Sequence, residues 1–271
     1  MAKQLRDIEP IRPLLARRPL AVFSDIDGTL APIVPDPEVA RVTDRAREAL
    51  RDLMALGVGV GLITGRDLGK AREMAGLPDA WYAANHGLTL SIGGVDETPE
   101  AVRDFLPRAQ GVIRETAGVE SVGVFVEDKG PIVAFHYRRA ASPEEARAAI
   151  EDALGASPAA DAFRVHEGRM VIELRPPLDI DKGTALEEML RRMRAGAVIA
   201  LGDDWTDIDM FRRVTALRDG GTLGVTVAVE SPEAPDEVLA GADYCVDGVA
   251  GVEWLLREVA RALRETAPSD R

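Results

Sequence analysis

One cysteine in 271 residues excludes an internal disulfide and any multi-cysteine metal cluster. That residue, Cys245, lies in Ala242-Asp243-Tyr244-Cys245-Val246, which reads as a short core strand carrying an inert buried thiol. Positive charge is also scarce: 33 Lys and Arg against 46 Asp and Glu leave a formal charge of -13. This deficit argues against nucleic acid or an anionic membrane as a partner, because Lys and Arg are what bind phosphate backbones. A small anionic substrate stays compatible, since a few local cations or one metal ion override the global field. No hydrophobic run reaches bilayer length; the longest weakly polar stretch, Ala55 to Ile63, holds three glycines. Near the start, the apolar Leu20 to Phe23 stops at Ser24 and Asp25, too soon for a signal peptide. No low-complexity tract is seen. The expectation is a soluble cytoplasmic protein, for which a 46% hydrophobic content supplies ample core.

What is present is an alternation of strand and helix patterns. Leu20-Ala21-Val22-Phe23 reads as a strand buried on both faces and runs into Asp25-Ile26-Asp27-Gly28-Thr29. Helical spacing follows over Thr43 to Leu56, then a strand over Val58 to Ile63, a helix over Asp67 to Ala75 and a strand over Trp81 to Ala84. The rhythm returns with a helix over Lys182 to Met193, a strand over Val198 to Leu201 and a helix over Thr206 to Val214. A strand over Val225 to Val229 and a helix over about Val249 to Glu265 complete it. Such alternation predicts an α/β fold, a doubly wound parallel sheet whose ligands sit outside the carboxyl ends of the strands. Between the two halves the order becomes helix-strand-strand, twice: Pro99 to Gly118, Val122 to Glu127 and Ile132 to Arg138, then Pro143 to Leu154, Phe163 to Glu167 and Met170 to Arg175. The tight joins, Asp128 to Pro131 and Gly168 with Arg169, predict antiparallel hairpins. We therefore expect a smaller α+β domain over residues 99–176 inserted into a core made of residues 1–98 and 177–271.

Chemistry-bearing residues gather at the predicted strand ends. Asp25 and Asp27, two apart on an extended segment, point the same way. Such a pair can supply the nucleophile and the proton carrier that phosphoryl transfer to water requires. A simple turn is the competing reading; a calcium loop is not, because Leu30 and Pro32 stand where further oxygen ligands belong. A second acidic run, Gly202-Asp203-Asp204-Trp205-Thr206-Asp207, follows another buried strand. If the two strands are neighbours, Asp203 and Asp25 can share a hard cation. Thr206 with Asp209 reads as a capping box, and Asp207 suits either a helix start or the metal. Lys182 stands at a helix start, where the dipole disfavours a cation unless an anion or the flanking Asp179 and Asp181 compensate. Thr64 ends the second strand and can offer a hydroxyl and an amide to phosphate, the competing reading of Thr64-Gly65 being a simple turn. His86 reads as a turn residue or as a support behind the groups of the site, His166 as a surface strand residue, and Trp81, Trp205 and Trp254 as packing residues.

In order along the chain, Asp25-x-Asp27-Gly28-Thr29, Thr64, Lys182 and Gly202-Asp203-Asp204 resemble the haloacid dehalogenase superfamily of phosphotransferases. The fuller wording includes Thr64-Gly65-Arg66, Asn85-His86-Gly87, Glu127-Asp128-Lys129, His136-Tyr137-Arg138, Glu173-Leu174-Arg175-Pro176 and Gly202-Asp203-Asp204-Trp205-Thr206-Asp207-Ile208-Asp209-Met210-Phe211. It resembles the trehalose-6-phosphate phosphatase family; Ile208 departs, at a position where that family commonly carries Glu.

The resemblance implies that Asp25 attacks phosphorus and that Asp27 protonates the departing sugar oxygen. Thr64 and Lys182 would bind phosphoryl oxygens, with Gly65 and Arg66 among the substrate-binding groups. It implies a Mg2+ ion on Asp25, the Asp27 carbonyl and Asp203, with Asp204 or Asp207 orienting its waters. Alternation on the inserted strands puts His136 with Arg138, and Glu173 with Arg175, on polar faces. Lys129, His136, Arg138 and Glu173 are accordingly expected to read a disaccharide, unless that face is simply solvated. The expected substrate is trehalose 6-phosphate, the partner a small sugar phosphate, and a monomer the default. Rival readings are another sugar phosphate of the sucrose or mannosyl-glycerate type, a phosphotransferase, and a non-catalytic sugar-phosphate sensor.

Overall fold

The computed structural model describes residues 2–168 and 170–266. In chain order its strands are β1 (Lys3–Gln4), β2 (Leu20–Ser24), β3 (Gly59–Ile63), β4 (Trp81–Ala84), β5 (Thr89–Ile92), β6 (Val95–Glu97), β7 (Phe125–Asp128), β8 (Val133–His136), β9 (Arg164–Gly168), β10 (Val171–Arg175), β11 (Ala197–Gly202), β12 (Leu223–Glu230) and β13 (Tyr244–Asp247). Residues up to Glu97 together with those from Ile180 onward form one compact unit, and Thr98–Asp179 forms a second. Among the described residues no helix is long and apolar enough to cross a membrane.

The larger unit holds a nine-stranded sheet in the order β1-β13-β12-β11-β2-β3-β4-β5-β6. Neighbours from β1 to β4 pair in parallel, and β5 and β6 continue antiparallel. In β2 the side chains alternate between two cores. Leu20 and Val22 pack with Ala46, Leu50 and Leu53 of the helix Asp44–Ala55 and with Leu255 and Val259 of the helix Gly248–Thr266. Ala21 and Phe23 pack with Leu186 and Met189 of the helix Lys182–Met193 and with Phe211 and Val214 of the helix Ile208–Asp219. A strand with both faces covered must be apolar at every position, which is why Leu20 to Phe23 shows no alternation. Each fully buried Leu or Phe here contributes about 1.5–3 kcal/mol.

This sheet puts three chemically loaded strand ends side by side. β2 pairs with β11 on one flank and with β3 on the other, all parallel. Asp25, Asp203 and Thr64 follow their carboxyl ends, where the order of connections reverses.

The smaller unit is an antiparallel sheet, β7-β8-β10-β9, with the expected hairpins. In the second hairpin Gly168 pairs with Val171; of the turn expected at Gly168 with Arg169, Arg169 lies outside the described residues. One sheet face, including Val133, Phe135, Ile172 and Leu174, packs with Val112 of the helix Leu106–Glu115 and Ile150 of the helix Pro143–Gly155. The continuous helix expected over Pro99 to Gly118 is instead broken into Glu100–Arg103 and Leu106–Glu115. Pro107 has no N–H to give and is suited to a first turn, so it starts a second helix rather than continuing the first.

Candidate active site

Asp25 is buried, with its N–H donating to the Leu201 carbonyl at 3.0 Å, so neighbouring β11 fixes the backbone at the point where chemistry is expected. Lys182, also buried, donates through Nζ to Asp25 Oδ1 at 2.6 Å and to Asp207 Oδ1 at 2.7 Å. The compensation expected from the residues flanking Lys182 is thus supplied from elsewhere. Asp181 caps the helix, accepting from the Thr184 N–H at 2.7 Å while its own N–H donates to Thr184 Oγ1 at 2.9 Å. Asp207 Oδ2 accepts the N–H groups of Asp203 and Asp204, at 2.9 and 3.0 Å. Asp207 therefore organises the loop and Lys182 together. The cap after β11 pairs Asp204 with Asp207, correcting the expected pairing of Thr206 with Asp209.

Asp203 Oδ1 accepts from Thr29 Oγ1 at 2.7 Å, which ties the two acidic loops together. A Cβ on Gly28 would lie 2.0 Å from Asp203 Oδ2, and the φ of +80° is one that side-chain-bearing residues rarely adopt. Glycine at this position is what allows Asp203 to approach. Carboxylate oxygens of Asp25, Asp203 and Asp207 lie within 4.8 Å of one another, whereas Asp204 is exposed and stands outside the group.

Burial raises the Asp25 carboxyl well above the ordinary range; Lys182 pulls the other way, and Asp207, Asp203 and Asp27 push it further up. Burial and then Asp207 push Asp203 up to about 7, against the Thr29 hydrogen bond. Burial would lower Lys182, but Asp207 and Asp25 outweigh it and hold the ammonium above its usual value. Asp25 and Asp207 thus share one ammonium, with the Asp203 carboxylate close beside them. A cluster of hard oxygen donors with surplus negative charge fits a divalent cation such as magnesium.

Asp27 accepts a two-pronged ion pair from Arg66, Nε to Oδ2 at 3.0 Å and Nη2 to Oδ1 at 2.8 Å. Arg66, expected among the substrate groups, is here a partner of the second aspartate. Thr64 is buried, with its N–H on the Ala83 carbonyl at 2.9 Å and its Oγ1 accepting the Arg66 N–H at 3.2 Å.

In the smaller unit, the sheet face opposite the helices carries Glu127, His136 and Glu173. Buried Glu173 accepts from Lys129 Nζ at 2.8 Å and from Arg175 Nε and Nη2 at 2.9 and 2.5 Å. His136 Nε2 lies 2.8 Å from Glu127 Oε2, and exposed Phe125 sits against the His136 ring with centroids 5.8 Å apart. His166 pairs across the strands with Glu173, consistent with a surface strand residue. Arg138 does not share a strand face with His136, because β8 ends at His136 and Arg138 lies in the following turn.

A family model described as trehalose-phosphatase matches residues 23–238. The chain belongs to the trehalose-phosphatase family. It is 41% identical over 235 residues to a trehalose-phosphate phosphatase of Mycobacterium avium (strain 104), covering 83% of this chain and 58% of that protein. A trehalose-phosphate phosphatase of Mycobacterium tuberculosis (strain ATCC 25618 / H37Rv) is 38% identical over 261 residues, covering 93% of this chain and 64% of its own length. The chain thus spans about three fifths of the length of these curated relatives. Among solved structures, the C-terminal domain of the Candida albicans trehalose-6-phosphate phosphatase superposes with a TM-score of 0.72 at 22% identity, over 96% of this chain and 98% of that one. A trehalose-6-phosphate phosphatase related protein gives a TM-score of 0.73 at 22% identity, over 90% of this chain and 99% of its own. These two likenesses show the shared fold.

The departure from the trehalose-phosphatase pattern, Ile208, is buried beside Phe211 and Val214, so an apolar residue fits its surroundings. Trp205 corrects the expectation of packing: it is 53% exposed beside Asp204. Sequence reasoning singled out neither Thr29, which holds Asp203, nor Glu127 as a functional side chain. Their signals were present: Thr29 ends the first acidic motif, and Glu127 is two residues from Lys129.

Proposed function

We propose that the chain hydrolyses trehalose 6-phosphate to trehalose and phosphate through a phospho-aspartate on Asp25. The observation that carries this reading is the Asp25–Lys182–Asp207 network at adjoining parallel strand ends, within a chain of the trehalose-phosphatase family. An Asp25 oxygen bonds phosphorus while the bond from phosphorus to the sugar oxygen breaks, and the departing oxygen takes a proton from Asp27. In the second half a water loses its proton to Asp27, attacks phosphorus and frees Asp25 with release of phosphate. Because Asp27 is clasped by Arg66, its proton transfers require that pair to loosen once substrate arrives. Lys182 and Thr64 hold phosphoryl oxygens, so catalysis is mostly positioning and charge neutralisation.

Asp25, Asp203 and the Asp27 carbonyl would hold Mg2+, which when bound supplies positive charge against the phosphoryl oxygens. Asp207, with both oxygens engaged by Lys182 and two amides, positions these ligands. Lys129, His136, Arg138 and Glu173 of the smaller unit select the sugar. A cytoplasmic setting fits the one thiol, Cys245, which is buried and unpaired with any other cysteine.

The test is phosphate release across a panel of sugar phosphates and one aryl phosphate, with magnesium and with chelator. Trehalose 6-phosphate should be the preferred sugar, and chelator should abolish release. Equal turnover of every sugar phosphate would remove the trehalose assignment. Release that persists in chelator would remove the metal.

A further inference from the structure

After β4 the backbone runs through Asn85, His86 and Gly87 with φ of +52°, +59° and +104°. Asn and His enter the left-handed region more readily than most residues, yet still at a cost. Strain of this kind persists where surrounding contacts over-determine it. Here the contacts reach two separate elements. On one side the Asn85 N–H donates to the Arg66 carbonyl at 2.8 Å and the His86 N–H to the Thr64 carbonyl at 2.9 Å. The His86 ring lies so close over Gly65 that a Cβ there would fall 2.6 Å from Nε2. On the other side a Cβ on Gly87 would fall 2.9 Å from the Asp181 carbonyl and 3.0 Å from Ala185 Cβ, at the start of the helix that carries Lys182.

One strained turn therefore touches both the loop carrying Thr64 and the helix end carrying Lys182. We infer that the turn sets the spacing between these two groups, with His86 as a positioning residue whose ring fixes the backbone at Gly65. This inference rests on the phosphatase reading but not on the choice of trehalose. The ring meets Gly65 rather than a reacting atom, so it acts through the loop. Without the ring, the Thr64–Arg66 backbone gains room to shift where its hydroxyl must be aligned. Misalignment of about 1 Å in such a site costs roughly 10²-fold in rate.

A double-mutant cycle tests this, with an aryl phosphate and trehalose 6-phosphate as paired substrates. His86→Gly removes the ring and relieves the positive φ, so it separates positioning from stability. Its kcat should fall at least roughly tenfold on both substrates, with Tm within about 3 °C of wild type. Gly65→Ala should lose activity through the clash with the ring, and adding His86→Gly should restore part of it, because the methyl then has space. That non-additivity is specific to the contact. Strictly additive losses, or full activity in His86→Gly on both substrates, would overturn the inference while leaving the phosphatase reading intact. A wild-type chain releasing phosphate from neither substrate would overturn both.

Discussion

Asp25 and Asp27 stand two residues apart yet have different neighbours. Asp25 is buried against Lys182, and Asp27 is part-exposed against Arg66. Asp25→Asn should abolish turnover of sugar and aryl phosphates alike, while Tm holds or rises, because one of several crowded carboxylates is neutralised. Asp27→Asn should cost a sugar phosphate roughly 10²–10⁴-fold but an activated aryl phosphate far less, since that leaving group needs no proton. Parallel rate measurements check both, and equal losses from Asp27→Asn would remove it from the acid role. At this scale the sequence shows which residues carry charge at strand ends, because the motifs are local. It does not show who partners whom. Lys182 meets Asp25 across 157 positions and Asp207 across 25, and its near neighbour Asp181 is occupied as a helix cap.

At the scale of elements, continuous patterns were legible and short contextual ones were not. The helix Lys182–Met193 and the strand Trp81–Ala84 lie where periodicity placed them. The hairpin of β5 and β6, turning at Gly93 and Gly94, was missed because these short antiparallel strands follow β4 with no helix between and so fall outside the strand-helix alternation that placed β4. β1 is two residues long and exists by pairing with Tyr244 and Cys245. Sheet edges of this kind are held by side chains as well as by ladders. Asp243 accepts from the Thr226 N–H at 2.9 Å and from Thr226 Oγ1 at 3.0 Å, and it pairs with Arg218. Burial would raise its carboxyl, but Arg218 and the Thr226 N–H outweigh that and hold it below the ordinary range. A depressed carboxyl stabilises the fold above its unfolded value of about 3.9, and that contribution is lost as pH falls through the folded value. Asp243→Asn should therefore lower Tm near neutrality by roughly 2–4 °C, about 1 kcal/mol, with the gap narrowing in acid. Thermal melts from pH 7 down to about 3 check the sign. A gap independent of pH would show that shape rather than charge is what Asp243 supplies.

For the whole molecule, the change from strand-helix alternation to helix-strand-strand marked a second unit, and the polar face of its sheet is the reason to give that unit the choice of sugar. Glu173 is central to the argument because it is buried between Lys129 and Arg175. A carboxylate neutralised by two cations can be a structural clasp, or it can be a pre-aligned acceptor for sugar hydroxyls. Glu173→Ala would leave two cations facing each other and confuse these roles. Glu173→Gln keeps the volume and one acceptor oxygen, and replaces the other with a donor that must face Arg175 or Lys129. If the face reads the disaccharide, Glu173→Gln should lower kcat/KM for trehalose 6-phosphate roughly tenfold, about 1.4 kcal/mol, as expected for a hydrogen bond to a charged group. Hydrolysis of a small aryl phosphate, which has no sugar to present, should change by less than about twofold. Parallel losses on both substrates would make Glu173 a clasp for the unit. Unchanged rates on both would mean that Glu173 does not read the sugar, and sugar selection would then have to reside in other residues.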